Sequence, residues 1–199
     1  MATRFFNITL DGVTAFPRLD GTLAEWFGGS RSNYSEFYVA PNPGDTLDST
    51  VELTGADWTI RYFRLTGEEG SVLRLFDADN QTGRELRFLE LGYNSDVDLT
   101  TTRVRYVFGW DGESHSVKLG DQDRQVFSVN LFADENEVVT GSAYVNAIVT
   151  EGPGETVTGD TISIGSGGAG SIRTGVAGDK VDTGDGFVRS VATNDGNDK

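Results

Sequence analysis

Cysteine is absent, histidine and methionine occur once each, and proline four times in 199 residues. Without cysteine there is no disulfide framework, thiolate metal site, iron–sulfur cluster or thiol nucleophile, so stability has to come from a packed core, from bound ions, or from both. His115 alone cannot complete a zinc site of the usual kind or serve a full range of His-dependent chemistries, and its place beside Asp111-Gly112 reads as an exposed turn. No His-Glu-x-x-His, Gly-x-Ser-x-Gly or phosphate loop occurs, and the chain reads as non-enzymatic. No apolar run is long enough to span a bilayer, and Met1-Ala2-Thr3-Arg4-Phe5-Phe6 lacks the continuous apolar stretch of a signal peptide. Neither membrane insertion nor an N-terminal export signal is expected. Basic residues are scarce too, 16 against 31 acidic ones, for a net charge of -15. Such a surface repels phosphate backbones and anionic headgroups, which makes divalent cations, rather than nucleic acid, its natural partners.

What is abundant is glycine, with 26 residues, and short runs in which β-branched or aromatic residues alternate with polar ones. Trp58–Leu65, Val72–Phe76, Leu86–Leu91, Arg103–Phe108, Val126–Phe132 and Ala143–Val149 all show this period of two, the mark of strands with one buried face. Asp111-Gly112 and Gly120-Asp121 lie between such runs and read as hairpin turns. The expectation for residues 1–150 is an all-β, antiparallel β-sandwich, jelly-roll-like in its connections. Helix has a prospect only around 21–28. Composition changes at Glu151-Gly152-Pro153-Gly154, since residues 151–199 hold 12 of the glycines and a single aromatic, Phe187. That change sets the expected boundary between a domain of residues 1–150 and one of residues 151–199.

The second segment repeats itself. Gly159-Asp160-Thr161-Ile162-Ser163-Ile164-Gly165 returns as Gly178-Asp179-Lys180-Val181-Asp182-Thr183-Gly184, and Asp160, Asp179 and Asp198 are each 19 residues apart. Units this short bury an apolar face only by stacking coil on coil. Stacked strands lie about 4.8 Å apart, so the aspartates would form a column of like charges. At that spacing neighbouring charges repel by roughly 3 to 4 kcal/mol at an effective dielectric near 20. A cation between successive turns reverses the sign, and hard carboxylate and turn carbonyl oxygens favour Ca²⁺.

The tail resembles the calcium-binding nonapeptide repeats of RTX, or haemolysin-type, proteins, with unit Gly-Gly-x-Gly-x-Asp-x-apolar-x. Asn194-Asp195-Gly196-Asn197-Asp198-Lys199 and Gly175-Val176-Ala177-Gly178-Asp179-Lys180-Val181 match it best. The resemblance implies a right-handed parallel β-roll in which Asp160, Asp179 and Asp198, with the turn glycines Gly159, Gly178 and Gly196, hold Ca²⁺. In the alternate turn the ligand position falls near Ala169 and Val188, so one edge of the roll would bind calcium and the other not. Proteins of this kind leave bacteria by type I secretion through a C-terminal signal, which implies a secreted or cell-surface location. The sequence also stops inside a third repeat, as the N-terminal part of a longer protein would.

Elsewhere, Asp77–Glu85 offers alternating oxygens but lacks the glycine and glutamate of an EF-hand loop, and reads as a turn between strands. Trp110, beside its turn, is the tryptophan expected to be exposed and available to a sugar. Arg61, Arg64, Arg74, Arg84, Arg87, Arg103 and Arg105 are expected to pair with acidic residues on a solvated face. The function expected is that of a secreted, calcium-binding adhesin or surface-layer-like protein able to self-assemble or meet a cell surface. The alternative is a carbohydrate-binding module, alone or joined to a polysaccharide-active enzyme.

Overall fold

The computed structural model describes residues 4–9, 22–30, 33–41, 48–54, 59–65, 69–78, 80–110, 112, 114–120, 125–151, 159–194 and 196–199; before residue 59 it describes side chains only for Val51 and Leu53. These residues form strands β1 (Arg4–Thr9), β2 (Thr22–Ser30), β3 (Asn33–Pro41), β4 (Asp48–Thr54), β5 (Thr59–Leu65), β6 (Val72–Asp77), β7 (Glu85–Leu91), β8 (Asn94–Leu99) and β9 (Arg103–Gly109). They continue as β10 (Ser114–Leu119), β11 (Val126–Leu131), β12 (Glu135–Thr140), β13 (Val145–Thr150), β14 (Thr161–Ser163), β15 (Ala169–Thr174), β16 (Lys180–Asp182) and β17 (Val188–Ala192). No helix occurs among the described residues, and the stretch with helical prospects, 21–28, lies largely in β2.

From β4 onward the chain alternates between two sheets. One runs β1-β4-β6-β8-β10-β12-β14-β16, the other β17-β15-β13-β11-β9-β7-β5-β3-β2. From β3 to β15 each strand pairs in parallel with the strand two places on, β1 pairs in parallel with β4, and the one antiparallel pair among the described residues is β2 with β3. The fold is therefore a parallel β-solenoid, as expected of the tail alone, and the antiparallel sandwich expected of residues 1–150 is not what forms. The misreading has a physical cause. Parallel strands need a crossover of roughly a dozen residues or more, ordinarily a helix; here each sheet's crossover is a strand of the other sheet. Period-two alternation is the same in both arrangements; Asp111 and Asp121 of the two expected turns lie outside the described residues, but the strands that flank them, β9 with β10 and β10 with β11, belong to different sheets and do not pair as hairpins.

Inward residues form columns along the solenoid axis. In the first sheet Val51, Leu75, Val97, Val117, Val138, Ile162 and Val181 stand in one register, so successive coils take 24, 22, 20, 21, 24 and 19 residues. In the second, Phe63, Leu89, Val107, Val129, Ile148, Ile172 and Val191 do the same. All of these from Val51 to Ile172 are buried in one continuous core. Strands β13 and β15, on either side of residues 152–158, are direct neighbours; the proposed junction at 152–154 itself lies outside the described residues. The core thins along the axis: Val181 and Val188 are partly buried and Val191 is 46% exposed.

Strands β5, β7, β9 and β11 share one more feature. Between two buried residues, such as Ile60 and Phe63 or Leu86 and Leu89, two successive residues face outward, so strict alternation breaks once per coil. The second of these outward positions carries Tyr62, Phe88 and Tyr106.

Candidate functional site

The first inward column of the β4-to-β16 sheet changes character along the axis. Its members are Leu73, Ser95, His115, Asn136, Asp160, Asp179 and Asp198. The last inward column of the other sheet changes in parallel, through Leu65, Leu91, Gly109, Leu131, Thr150 and Thr174. One inner edge thus passes from leucine pairs to aspartate and threonine.

The aspartates lock adjacent coils together. Asp160 Oδ1 accepts from the backbone N–H of Asn136 and from its Nδ2, both at 2.9 Å. Asp179 Oδ1 accepts from Asp160 N–H at 2.8 Å, and Asp198 Oδ1 from Asp179 N–H at 2.9 Å. Each carboxylate reaches back one coil to a backbone N–H at the start of a strand, Asn136 in β12 and Asp160 and Asp179 just before β14 and β16, and so satisfies a buried donor. This accounts for aspartate, short enough to bond and too short to reach further, at a spacing of 19.

One oxygen of each carboxylate is thereby used. Asp179 is 1% exposed, and its Oδ2 is buried without a partner, as are Asn136 Oδ1 and Thr174 Oγ1. Burial pushes the Asp160 carboxyl above its ordinary value, the Asp179 charge adds to the rise, and hydrogen bonding from Asn136 opposes it. Among the described residues no lysine or arginine pairs with Asp160, Asp179 or Asp198, and no three acidic or imidazole groups converge on a point. Of the turn glycines, Gly159 and Gly196 have no room for a Cβ, which would strike the carbonyls of Gly178 and Ala177, whereas Gly178 has ordinary space.

His115, expected in an exposed turn, is 1% exposed at this same inner edge. Its Nε2–H donates to the Trp110 carbonyl at 2.7 Å, and burial pulls its pKa below the ordinary value, against the pull of that bond. The ring fits because Gly109 faces it: a Cβ there would stand 2.6 Å from His115 Cδ2. Arg84 is the other reversal. Far from a solvated face, it is fully buried, with Nη1 donating to Leu53 O at 2.9 Å and Nη2 3.2 Å from Asp77 Oδ1. Asp77 in turn accepts from Thr101 and Thr102 N–H at 2.7 and 2.9 Å. The pair fastens the described residues of the segment that joins β6 to β7.

Trp110 is exposed as expected, at 54%, with its indole N–H donating to Glu90 Oε1 at 2.6 Å and its ring edge-on to Phe108. On the outer face of the β5-to-β11 region, Tyr62, Phe88, Tyr106 and Phe127 stack in succession, with centroids 4.9, 6.2 and 5.3 Å apart. Arg64 pairs with Glu90 at 3.0 Å and Arg105 with Glu85, cross-strand pairs of the kind expected. Nothing in local sequence marked His115, Arg84 or the threonines; the signal was the aspartate register, which can be followed upward only by allowing coils of unequal length. No protein-family model, curated protein or solved structure matches the chain.

Proposed function

We propose that the protein is a non-enzymatic, extracellular β-solenoid whose lower coils are stabilised by Ca²⁺, and which serves adhesion or surface assembly as a secreted or cell-surface protein of bacteria exported by the type I route. The observation that supports this reading is the column Asp160, Asp179 and Asp198: buried or half-buried carboxylates one coil apart, without countercharge among the described residues, and with Asp179 Oδ2 unpartnered. Their oxygens, with the Thr150 and Thr174 hydroxyls and the turn carbonyls, are hard donors of the kind Ca²⁺ takes. A cation there neutralises the repulsion that the N–H bonds only offset. Among the described coils these have the thinnest core, so ion binding and their folding are one equilibrium.

Thermal unfolding of the chelated full chain, followed by far-UV circular dichroism while Ca²⁺ or Mg²⁺ is titrated, tests this. Saturation at a hundredfold excess over the dissociation constant stabilises by about 2.7 kcal/mol, which for a chain of this size raises the midpoint by roughly 5 to 10 °C. Asp179→Asn is expected to lose most of that response. An unchanged midpoint at millimolar Ca²⁺, or an equal rise with Mg²⁺, rejects the reading.

A further inference from the structure

We propose that the outer face of β5, β7 and β9 binds an extended polyuronate, an acidic polysaccharide with one carboxylate per sugar. The register Ile60↔Leu86↔Val104 places the next residue of each strand, Arg61, Arg87 and Arg105, in one column. These three strands carry five arginines and two glutamates, although acidic residues outnumber basic ones almost two to one in the whole chain. On the opposite sheet, β6, β8, β10 and β12 carry Asp77, Asp96, Asp98, Glu135 and Glu137 against Arg74 and Lys118. Positive charge is therefore segregated to one side. At physiological ionic strength charges separated by more than about 8 Å are largely screened, so a ligand on this face meets the arginines rather than the net charge.

Three features select the ligand. Neighbouring strands stand about 4.8 Å apart, close to the advance of an extended 1→4-linked pyranose chain per sugar, so the sugars keep step with the strands and the carboxylates that turn toward the sheet meet guanidinium groups of the column. Arginine, with its planar fork of donors, suits a carboxylate better than a lysine point charge does. Phe88 and Tyr106, stacked on both faces, turn ring edges to the solvent. Ring edges are the electropositive part of an aromatic, so this ladder favours an anion over the face-on stacking of a neutral sugar. At its end lies a depression of about 290 Å³ lined by Glu85, Arg103, Arg105, Gln125 and Phe127. Glu85 and Glu90 are nearly buried and already taken up, Glu85 by Arg105 and Glu90 by Arg64 and Trp110, so Arg61 and Arg87, both exposed, are the guanidinium groups that a ligand meets first.

The face is separate from the aspartate column, and binding measured in the presence of a chelator does not depend on the calcium reading. Calorimetric titration of the full chain uses a hexamer of 1→4-linked galacturonic acid, the neutral glucose hexamer of the same linkage, and single-stranded DNA. The uronate is expected to bind in a salt-sensitive way, at least tenfold tighter than either control. Arg61→Gln with Arg87→Gln weakens it about tenfold, given that exposed charge pairs contribute up to roughly threefold to fivefold each, while Lys118→Gln on the opposite sheet changes nothing. Equal binding of the neutral hexamer or of DNA overturns the proposal. So does indifference of uronate binding to the two substitutions, the absence of heat at millimolar uronate, or self-association of the chain in place of uronate binding.

Discussion

Replacing Asp77 by asparagine leaves the shape of the inner corner nearly intact and removes one charge from a fully buried pair. Arg84 keeps its bonds to the Leu53 carbonyl and the Thr101 hydroxyl but loses the carboxylate 3.2 Å from Nη2. The new amide also sets an N–H₂ near the Thr101 and Thr102 donors that Asp77 now accepts. Stranding a buried guanidinium in this way costs about 3 to 5 kcal/mol, a large part of the stability of a typical domain. Arg84→Met is expected to be milder, about 1 to 3 kcal/mol, because Asp77 retains both backbone donors and the Thr102 hydroxyl. In the double variant the two losses should not add, and a coupling of about 2 kcal/mol returns. Urea unfolding of the four proteins, followed by circular dichroism, measures the cycle. A loss below 1 kcal/mol for Asp77→Asn, an Arg84→Met loss larger than it, or strict additivity refutes the reasoning.

Two further predictions concern the histidine. Gly109→Ala drives a methyl to within 2.6 Å of His115 Cδ2 and 2.9 Å of Leu131 Cδ2, an overpacking cost of about 1 to 3 kcal/mol; adding His115→Ser, the residue type one coil earlier in the column, should recover part of it in the same unfolding assay. Because the folded-state pKa of His115 is lowered, the unfolded chain binds the extra proton. Its contribution is complete above about pH 6.5 and is lost as pH falls below that value, by at most about 1.4 kcal/mol per unit. Unfolding free energies of the wild type and His115→Asn should diverge between pH 7.5 and 5.5, with the wild type falling faster, and parallel curves would exclude a buried neutral imidazole.

Strand positions were legible because burial on one face imposes a period of two whatever the partner, so β5, β6, β7, β9, β11 and β13 fall on the runs picked out by alternation. Their direction was not, since direction is set by which residues the corners bring together. The coil could be recognised where Asp160 and Asp179 repeat at 19 residues and not where Val51, Leu75 and Val97 repeat at 24 and 22. Insertions at corners leave every inward contact in register while erasing the period on which a repeat is recognised. His115 misled for a related reason. Beside Asp111-Gly112 it looked like turn decoration, and only the absence of a side chain at Gly109, which ends the preceding strand β9 in the other sheet, opens the space it fills. The aspartate column was legible as a column, but its bonds to backbone N–H groups follow from the parallel ladder and not from spacing.

The inward column that begins with Phe63 and Leu89 and passes through Ile172 to a half-open Val191 is also a gradient in how hard each coil is to detach. A stack in which every coil touches only its neighbours behaves as a one-dimensional zipper, and among the described coils the least buried is the easiest to detach. Pulled along its axis, the protein is expected to yield rung by rung from the aspartate coils upward, each step small, with the leucine-rich coils holding last. The same gradient means that whatever tightens the aspartate coils, an ion included, governs when they begin to open.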